Sequence, residues 1–310
     1  MNMQTPTITL DRAAWLEQRR TGIGGSDAAA VLGLSKWHSP LSLWLDKTGQ
    51  AAENTDNEDE KRWGTILEPV IKQVYSEKTG RTIVQPGFYR HPEHHYMVAN
   101  VDGISPADNR LIEIKTARTG EGWGEEGSDQ VPDEYLIQTQ HYMAVLRLRV
   151  ADIAVLIGGS DFRIYTVHAD DELHQILVDA ERQFWQSVVD LTPPAPQSYA
   201  DAQALYRKSI DKSIVVNEPT LEAAAQLRLV KAEKKALEAE EDRLKGVIAA
   251  YMGEHDTLIA PNGEKLVTWK VGAPPKRLDT KALAAAHPDI AAQFTKEGEA
   301  SRRFLLKGER

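Results

Sequence analysis

Two short strings carry the residues best suited to chemistry, Val101-Asp102-Gly103 and then Glu113-Ile114-Lys115. On a strand, Glu113 and Lys115 point to one face and Ile114 to the other. Asp102, at the end of the preceding strand, can come alongside. Two carboxylates and the Ile114 carbonyl make a compact oxygen site of the kind Mg²⁺ takes. An adjacent lysine can orient a metal-bound water or help deprotonate it. Phosphodiester hydrolysis needs this combination: a cation that lowers the water pKa and polarises the phosphate, and positive charge near the developing anion.

As a string, an acid followed by Glu-x-Lys is short, and its spacing fits a salt-bridged edge strand as well as it fits a metal site. A second Glu-x-Lys, Glu233 and Lys235, lies in a long charged helix, where positions two apart face different directions, and is rejected. Glu113 and Lys115 instead sit in an apolar run, LIEIK. Two further pieces bear on them. Trp63-Gly64-x-x-x-Glu68 places an acid on an apolar helix face, which is costly unless the acid is paired, near a metal or at the helix rim. Gln138 stands amid the apolar stretch Tyr135–Met143, where its amide must hold a water, a phosphate oxygen or backbone groups. Nearer the start, Ser26 follows Gly24-Gly25 as the expected N-cap of a short helix, Asp27–Leu32. Backbone N–H groups there can approach an anion closely, and Arg19 would add a guanidinium fork. The same residues also fit an ordinary capped helix with Arg19 on the surface. His91, His94 and His95 fall on an expected turn and lack the spacing of a closed metal site. Arg147 and Arg149 fit either a DNA contact or a solvated pair.

The elements that must position these residues follow from punctuation and period. Residues 11–50 read as helical around a Gly-rich turn, with a second helix opened by Pro40. A polar loop covers 51–60. A helix over 61–79 carries Trp63, Leu67, Val70, Ile71 and Val74, with Pro69 as a kink or a fresh start. Strands follow at 82–90, 96–101 and 110–117, then a long acidic loop at 118–132 and a helix at 133–147. Runs 151–157 and 162–167 pair around Gly158-Gly159, and a helix covers 170–190. Pro193-Pro194-Ala195-Pro196 marks a boundary. We expect a first domain over 1–195, a linker over 196–218, and an extension over 219–310 made of a helical arm and a hairpin at Pro261-Asn262-Gly263. The arm has Ala223, Val230, Leu237, Leu244 and Tyr251 every seven residues, but Lys234 and Glu241 occupy the other seam position. That pattern fits an arm packed on a partner segment better than a full coiled coil.

The chain has 310 residues, 41% of them hydrophobic and 27% charged, enough for one large domain or two smaller ones. It has no cysteine, which excludes disulfide scaffolds, thiolate metal sites and a cysteine nucleophile. No apolar run is long enough for a membrane span and no signal peptide is evident, so we expect a cytoplasmic protein with no membrane partner. The net charge of −9 argues against a broadly basic DNA-coating surface, yet residues 201–310 carry +2. Local arrangement must therefore decide the partner.

Taken together, the pieces resemble the YqaJ-type viral recombinase, lambda-exonuclease-like branch of the PD-(D/E)xK nucleases. The resemblance covers roughly residues 12–190 and runs in the family's order: Trp15-x-x-x-Arg19, the Gly-rich stretch ending in Ser26, Trp63-Gly64-x-x-x-Glu68, Val101-Asp102-Gly103, Glu113-Ile114-Lys115 and Gln138-x-Gln140. Val101 stands where the family name has proline. The resemblance implies an α/β fold with a mixed central sheet flanked by helices. It implies Mg²⁺, replaceable by Mn²⁺, on Asp102, Glu113 and the Ile114 carbonyl, with Glu68 close by. Lys115 would position the attacking water and Gln138 would support it. Arg19, Ser26 and Trp15 would form a pocket for a 5′-terminal phosphate. Arg118 lies near a further phosphate-binding arginine of the family, but not at the matching spacing. The implied activity is 5′→3′ exonucleolysis of double-stranded DNA, leaving 3′ single strands for an annealing protein. The resemblance also implies a ring-shaped homo-oligomer, a trimer in the family's pattern. A structure-dependent endonuclease on the same core and a non-enzymatic DNA-end-binding scaffold are the alternatives.

Overall fold

The computed structural model describes residues 17–51, 58–84, 87–296 and 301–307, so Trp15 lies outside the described residues. The chain divides into two units, Met1–Leu205 and Tyr206–Arg310. The first contains, in order, α1 (Gly25–Val31), α2 (Pro40–Lys47), α3 (Glu58–Thr79), β1 (Phe88–Arg90), β2 (Val98–Asn100), β3 (Gly103–Ser105), β4 (Arg110–Ala117), α4 (Asp133–Leu146), β5 (Val150–Ile157), β6 (Asp161–His168), α5 (Asp171–Val189) and α6 (Tyr199–Leu205).

Alternation along β4 organises this unit. Leu111 packs with Met143, Ile153 and Val155 on the face toward α4. Ile112 and Ile114 pack on the other face with Ile71 and Tyr75 of α3. Glu113 and Lys115 share the Leu111 face, as the period of two requires. The sheet order is β3-β4-β5-β6, antiparallel except for the central β4–β5 pair. A parallel pair needs a long crossover, and α4 supplies it. A mixed sheet with helices on both faces is the PD-(D/E)xK-type core expected from the resemblance. Asp152, buried in β5, locks the α3 side. It accepts from Tyr75 Oη at 2.7 Å, Arg110 at 2.5 Å and Thr166 Oγ1 at 2.8 Å.

Several local expectations are corrected. The helix after the Gly-rich turn begins at Gly25 and its N-cap is Gly24, with Ser26 inside the first turn. Asp27 Oδ2 accepts the Gly24 N–H at 3.0 Å and takes the capping role from Ser26. Gly25 lies so close to α4 that a Cβ there would sit 2.6 Å from the Tyr142 ring. Helix α3 runs through Pro69, which lies on its exposed side. Its buried stripe is Leu67, Ile71 and Tyr75, while Trp63 and Val70 are exposed. Of the strand expected at 82–90, residues 88–90 form β1, and Val84 makes a single bridge to Ile104. The residues expected to start a linker form α6 instead. Buried Asp201 in α6 accepts from Ser39 Oγ at 2.6 Å and ties that helix to the start of α2.

The second unit contains α7 (Glu218–Met252), the hairpin β7 (Thr257–Ile259) and β8 (Lys265–Thr268), α8 (Thr280–Ala286) and α9 (Pro288–Phe294). Near the end of the chain, Arg302 donates to the Tyr206 carbonyl at 3.1 Å. Among the described residues, no helix is long and apolar enough to cross a membrane.

Candidate active site

The β3–β4 ladder ends with Gly103 opposite Ile112. One step further, the Asp102 side chain replaces the missing main-chain acceptor: its Oδ2 accepts the Ile114 N–H at 2.7 Å. Gly103 is required beside it, because a Cβ there would lie 2.3 Å from Ile83 Cγ2. Asp102 is thereby fixed against the strand that carries Glu113 and Lys115.

Glu113 is 2% exposed. Its Oε1 accepts from Lys115 Nζ at 2.8 Å and from Gln138 Nε2 at 2.7 Å. Lys115 Nζ also donates to Gln138 Oε1 at 3.0 Å. A lysine only donates and a carboxylate only accepts, so these two bonds define which way the Gln138 amide points. Gln138 reaches the site because α4 crosses the Glu113 face of the sheet. The Tyr135 ring closes the far side, 4.9 Å from Lys115 Nζ.

The electrostatics follow from burial among like and unlike charges. Burial and the neighbouring Glu113 push the Asp102 carboxyl up from 3.8 to about 7. Burial works against the Lys115 ammonium, but Glu113 and Asp102 outweigh it and hold its pKa above the usual lysine value. Burial and Glu113 likewise raise the Tyr142 phenol.

Does this donor set suit a divalent cation? Glu113 Oε2 is buried with no hydrogen-bond partner. Asp102 is a second carboxylate that resists ionising until positive charge arrives. The two side chains and the Ile114 carbonyl are hard oxygen donors, and Mg²⁺ sites use one or two carboxylates and keep several waters. Among the described residues no group of three or more His, Cys, Asp and Glu side chains forms a metal cluster. Glu68 is not gathered into the site. It sits at the rim of α3, paired with Lys72, near enough to Asp102 to help raise its pKa. The donors therefore fit a lightly ligated, hydrated cation.

Arg19 and Ser26 are brought together, with the guanidinium donating to Ser26 Oγ at 2.9 Å and to Asp27 Oδ1 at 3.3 Å. This pocket abuts the carboxylate site through Gly25, which packs on Tyr142 and Gln138. Its foundation was not visible in the sequence. Lys47 Nζ, buried, donates to Asp27 Oδ2 at 2.6 Å and to the Arg19 carbonyl at 3.0 Å. Burial alone would raise the Asp27 carboxyl, but Lys47 and Arg19 hold it below the usual carboxylate range. Asp27 and Lys47 are twenty residues apart, so no local signal joined them. We expect Lys47→Met to destabilise the fold by about 3 kcal/mol, because Asp27 stays buried without its main counter-charge. Denaturant unfolding of the variant checks this, and adding Asp27→Asn should recover part of the loss.

The remaining candidates are structural or peripheral. Arg118 is exposed just past the end of β4. Buried His91 accepts the Glu93 and His94 N–H groups on its Nδ1 at 3.1 and 3.0 Å, which staples the turn before β2. Arg147 pairs with Glu93 and Arg149 with Asp171, all exposed.

Comparison with known proteins places these residues in context. Residues 14–151 match the YqaJ-like viral recombinase domain, a span that includes every candidate site residue named above. The chain is similar to the uncharacterized protein YqaJ of Bacillus subtilis (strain 168), 32% identical over 309 residues, covering 96% of this chain and 95% of that protein. Among solved structures it is similar to an alkaline exonuclease (LHK-Exo) from Laribacter hongkongensis, at 22% identity and a TM-score of 0.46 over 57% of this chain and 93% of that one. It is also similar to a phage related exonuclease from Haemophilus somnus 129PT, at 15% identity and a TM-score of 0.40 over 57% and 99%.

Proposed function

Since the chain belongs to the YqaJ-like viral recombinase family, we propose that it is a Mg²⁺-dependent deoxyribonuclease that degrades linear duplex DNA 5′→3′ from its ends. The observation that carries this reading is the interlock of Glu113, Lys115 and Gln138 beside Asp102, with one buried Glu113 oxygen left unpartnered. Asp102, Glu113 and the Ile114 carbonyl would hold Mg²⁺, or Mn²⁺ in its place. When bound there, the cation supplies Lewis-acid polarisation of the phosphate and a more acidic water.

The chain's own side chains do the rest. Lys115, kept protonated by its two acidic neighbours, holds the attacking water and offers positive charge to the phosphate as negative charge develops. Gln138 holds the ammonium from a second side, accepting from Lys115 while donating to Glu113, and Tyr135 limits water on that side. Glu68 serves through its field at Asp102, or as the anchor of an outer water. Arg19 and Ser26 grip a terminal 5′-phosphate, with Arg118 at the mouth of the strand end. Their nearness to Gln138 and Tyr142 sets the reacting bond next to the terminus and favours an exonuclease. The product is a 3′ single strand suited to a single-strand annealing protein. A homo-oligomeric ring, a trimer by resemblance, would hold the duplex, and the substrate places the protein in the cytoplasm of a bacterial or phage-infected cell.

The test is digestion of linear duplex labelled at either end, with a closed circular control, in Mg²⁺ and in EDTA. Metal-dependent loss of the 5′ label from linear DNA alone is expected. Cutting of the circle points to an endonuclease, and no metal-dependent turnover points to a DNA-end-binding scaffold. Arg19→Ala should raise KM for 5′-phosphorylated ends about 10–100-fold, the worth of a charge-assisted hydrogen bond, and leave 5′-hydroxyl ends nearly unchanged. Equal loss on both ends would remove Arg19 from the phosphate pocket.

A further inference from the structure

The amide of Gln138 has its direction dictated by Lys115, which donates to Oε1 at 3.0 Å and has no acceptor to offer in return. The amide nitrogen therefore faces the other way. It donates to Glu113 Oε1 at 2.7 Å and to Tyr142 Oη at 3.3 Å. Tyr142 is thus the acceptor in its contact with Gln138, and its own hydroxyl hydrogen must go elsewhere. Among the described residues no acceptor takes it. Tyr142 is 6% exposed, and a buried polar hydrogen left without a partner is costly.

The surroundings of the hydroxyl indicate what it meets. The ring lies against the start of α1: a Cβ on Gly25 would sit 2.6 Å from Tyr142 Cε1 and 2.8 Å from Cζ, the carbon that bears the hydroxyl. The next residue, Ser26, accepts from the Arg19 guanidinium at 2.9 Å. The hydroxyl therefore stands at the seam between the Glu113–Gln138 site and the Arg19–Ser26 pair. Burial, Glu113 and Asp102 raise the phenol, so it stays protonated and available as a donor. The free oxygen nearby in the chain, Glu113 Oε2, takes no hydrogen bond from it. An acceptor that the chain does not supply is left. We propose that the Tyr142 hydroxyl donates to an oxygen of the phosphate at a DNA end, a contact added to those of Arg19 and Ser26. This rests on the reading of Arg19 and Ser26 as a terminal-phosphate pocket. A phosphate presents acceptors in several directions, so one oxygen meets the guanidinium while another meets the phenol.

Tyr142→Phe removes the one oxygen and keeps the ring on Gly25. Fluorescence anisotropy measures binding of the full chain to a blunt duplex carrying a 5′-phosphate or a 5′-hydroxyl, in EDTA, with circular dichroism as the folding control. The wild-type chain prefers the phosphorylated end, and Tyr142→Phe cuts the ratio of the two affinities about tenfold, the worth of a hydrogen bond to a charged group. A second measurement uses the wild-type chain labelled at tyrosine ¹³Cζ. The phosphorylated duplex moves one resonance that the 5′-hydroxyl duplex leaves in place, and that resonance is missing from Tyr142→Phe. Full end preference in the folded variant overturns the assignment. So does equal weakening at both ends, which would confine the hydroxyl to supporting Gln138, or a labelled spectrum indifferent to the phosphate. A wild-type chain that binds both ends alike overturns it together with the pocket. A chain that prefers phosphorylated ends but does not cleave in Mg²⁺ refutes the nuclease reading and leaves the Tyr142 contact standing.

Discussion

We expect Lys115→Met to reduce DNA hydrolysis by at least about a hundredfold and to lower the unfolding temperature, because buried Glu113 loses its counter-charge, with the variant still folded at the assay temperature. Methionine keeps the length and most of the volume of the side chain, so packing against the Tyr135 ring survives. What disappears is the charge, held by Glu113 at 2.8 Å and Gln138 at 3.0 Å. The loss falls on kcat, because the ammonium acts on charge that develops during the reaction. Arginine does not substitute, since its broad planar fork cannot occupy the space between Glu113 and the Gln138 amide. Single-turnover cleavage of an end-labelled duplex measures the effect. Near-wild-type turnover in a folded Lys115→Met variant would sink the assigned site.

We expect Asp102→Asn to move activity and stability in opposite directions. With the proposed cation on Asp102, cleavage should fall by at least about a hundredfold, because an amide is a poor ligand for a hard cation. The metal-free chain, by contrast, should become more stable at pH 8. In the folded state the Asp102 pKa is raised from 3.8 to about 7. A carboxyl raised in this way contributes stability that is fully present below its unfolded pKa and lost as pH rises through the folded one. At pH 8 the wild-type chain therefore holds a strained carboxylate beside Glu113. Asparagine is neutral at every pH, and its carbonyl oxygen can still accept the Ile114 N–H. In EDTA the variant should unfold about 3 °C or more above wild type at pH 8, and the gap should close toward about pH 4. Thermal scans across that range decide it. A variant less stable at pH 8 would show that Asp102 is a structural acceptor with no stored electrostatic cost.

Both expectations start from residues that could be picked out in the linear chain. Strand β4 was legible to the residue, because LIEIK is an apolar run with a two-residue period and bounded ends. Helix α4 and the pair β5–β6 were legible for similar reasons, as were α5 and the long arm. Short edge pieces were not. Of the described residues in 82–90, Phe88–Arg90 pair as a strand, whereas residues 82–84 hold one bridge at Val84, where Gly103 lets Ile83 lie across β3. The face of α3 was misjudged because Trp63 and Val70 have the hydrophobicity of core residues but no sheet beneath them. The helix start at Ser26 was misplaced because a downstream acid, Asp27, outcompetes the serine for the Gly24 N–H.

By itself the sequence determined the chemical inventory: two acids, a lysine two positions from one of them, a glutamine in an apolar helix, and an arginine seven residues before a serine. It also determined the strand and helix that carry them, because hydrophobic period is a local property. The tertiary structure alone decided which oxygen of Glu113 is free, that Asp102 is the acceptor for Ile114, and that Lys47 and Asp27 underpin Arg19. These depend on distances between residues roughly 10 to 30 positions apart, separations over which chain entropy erases local signals and only packing against a common sheet restores contact.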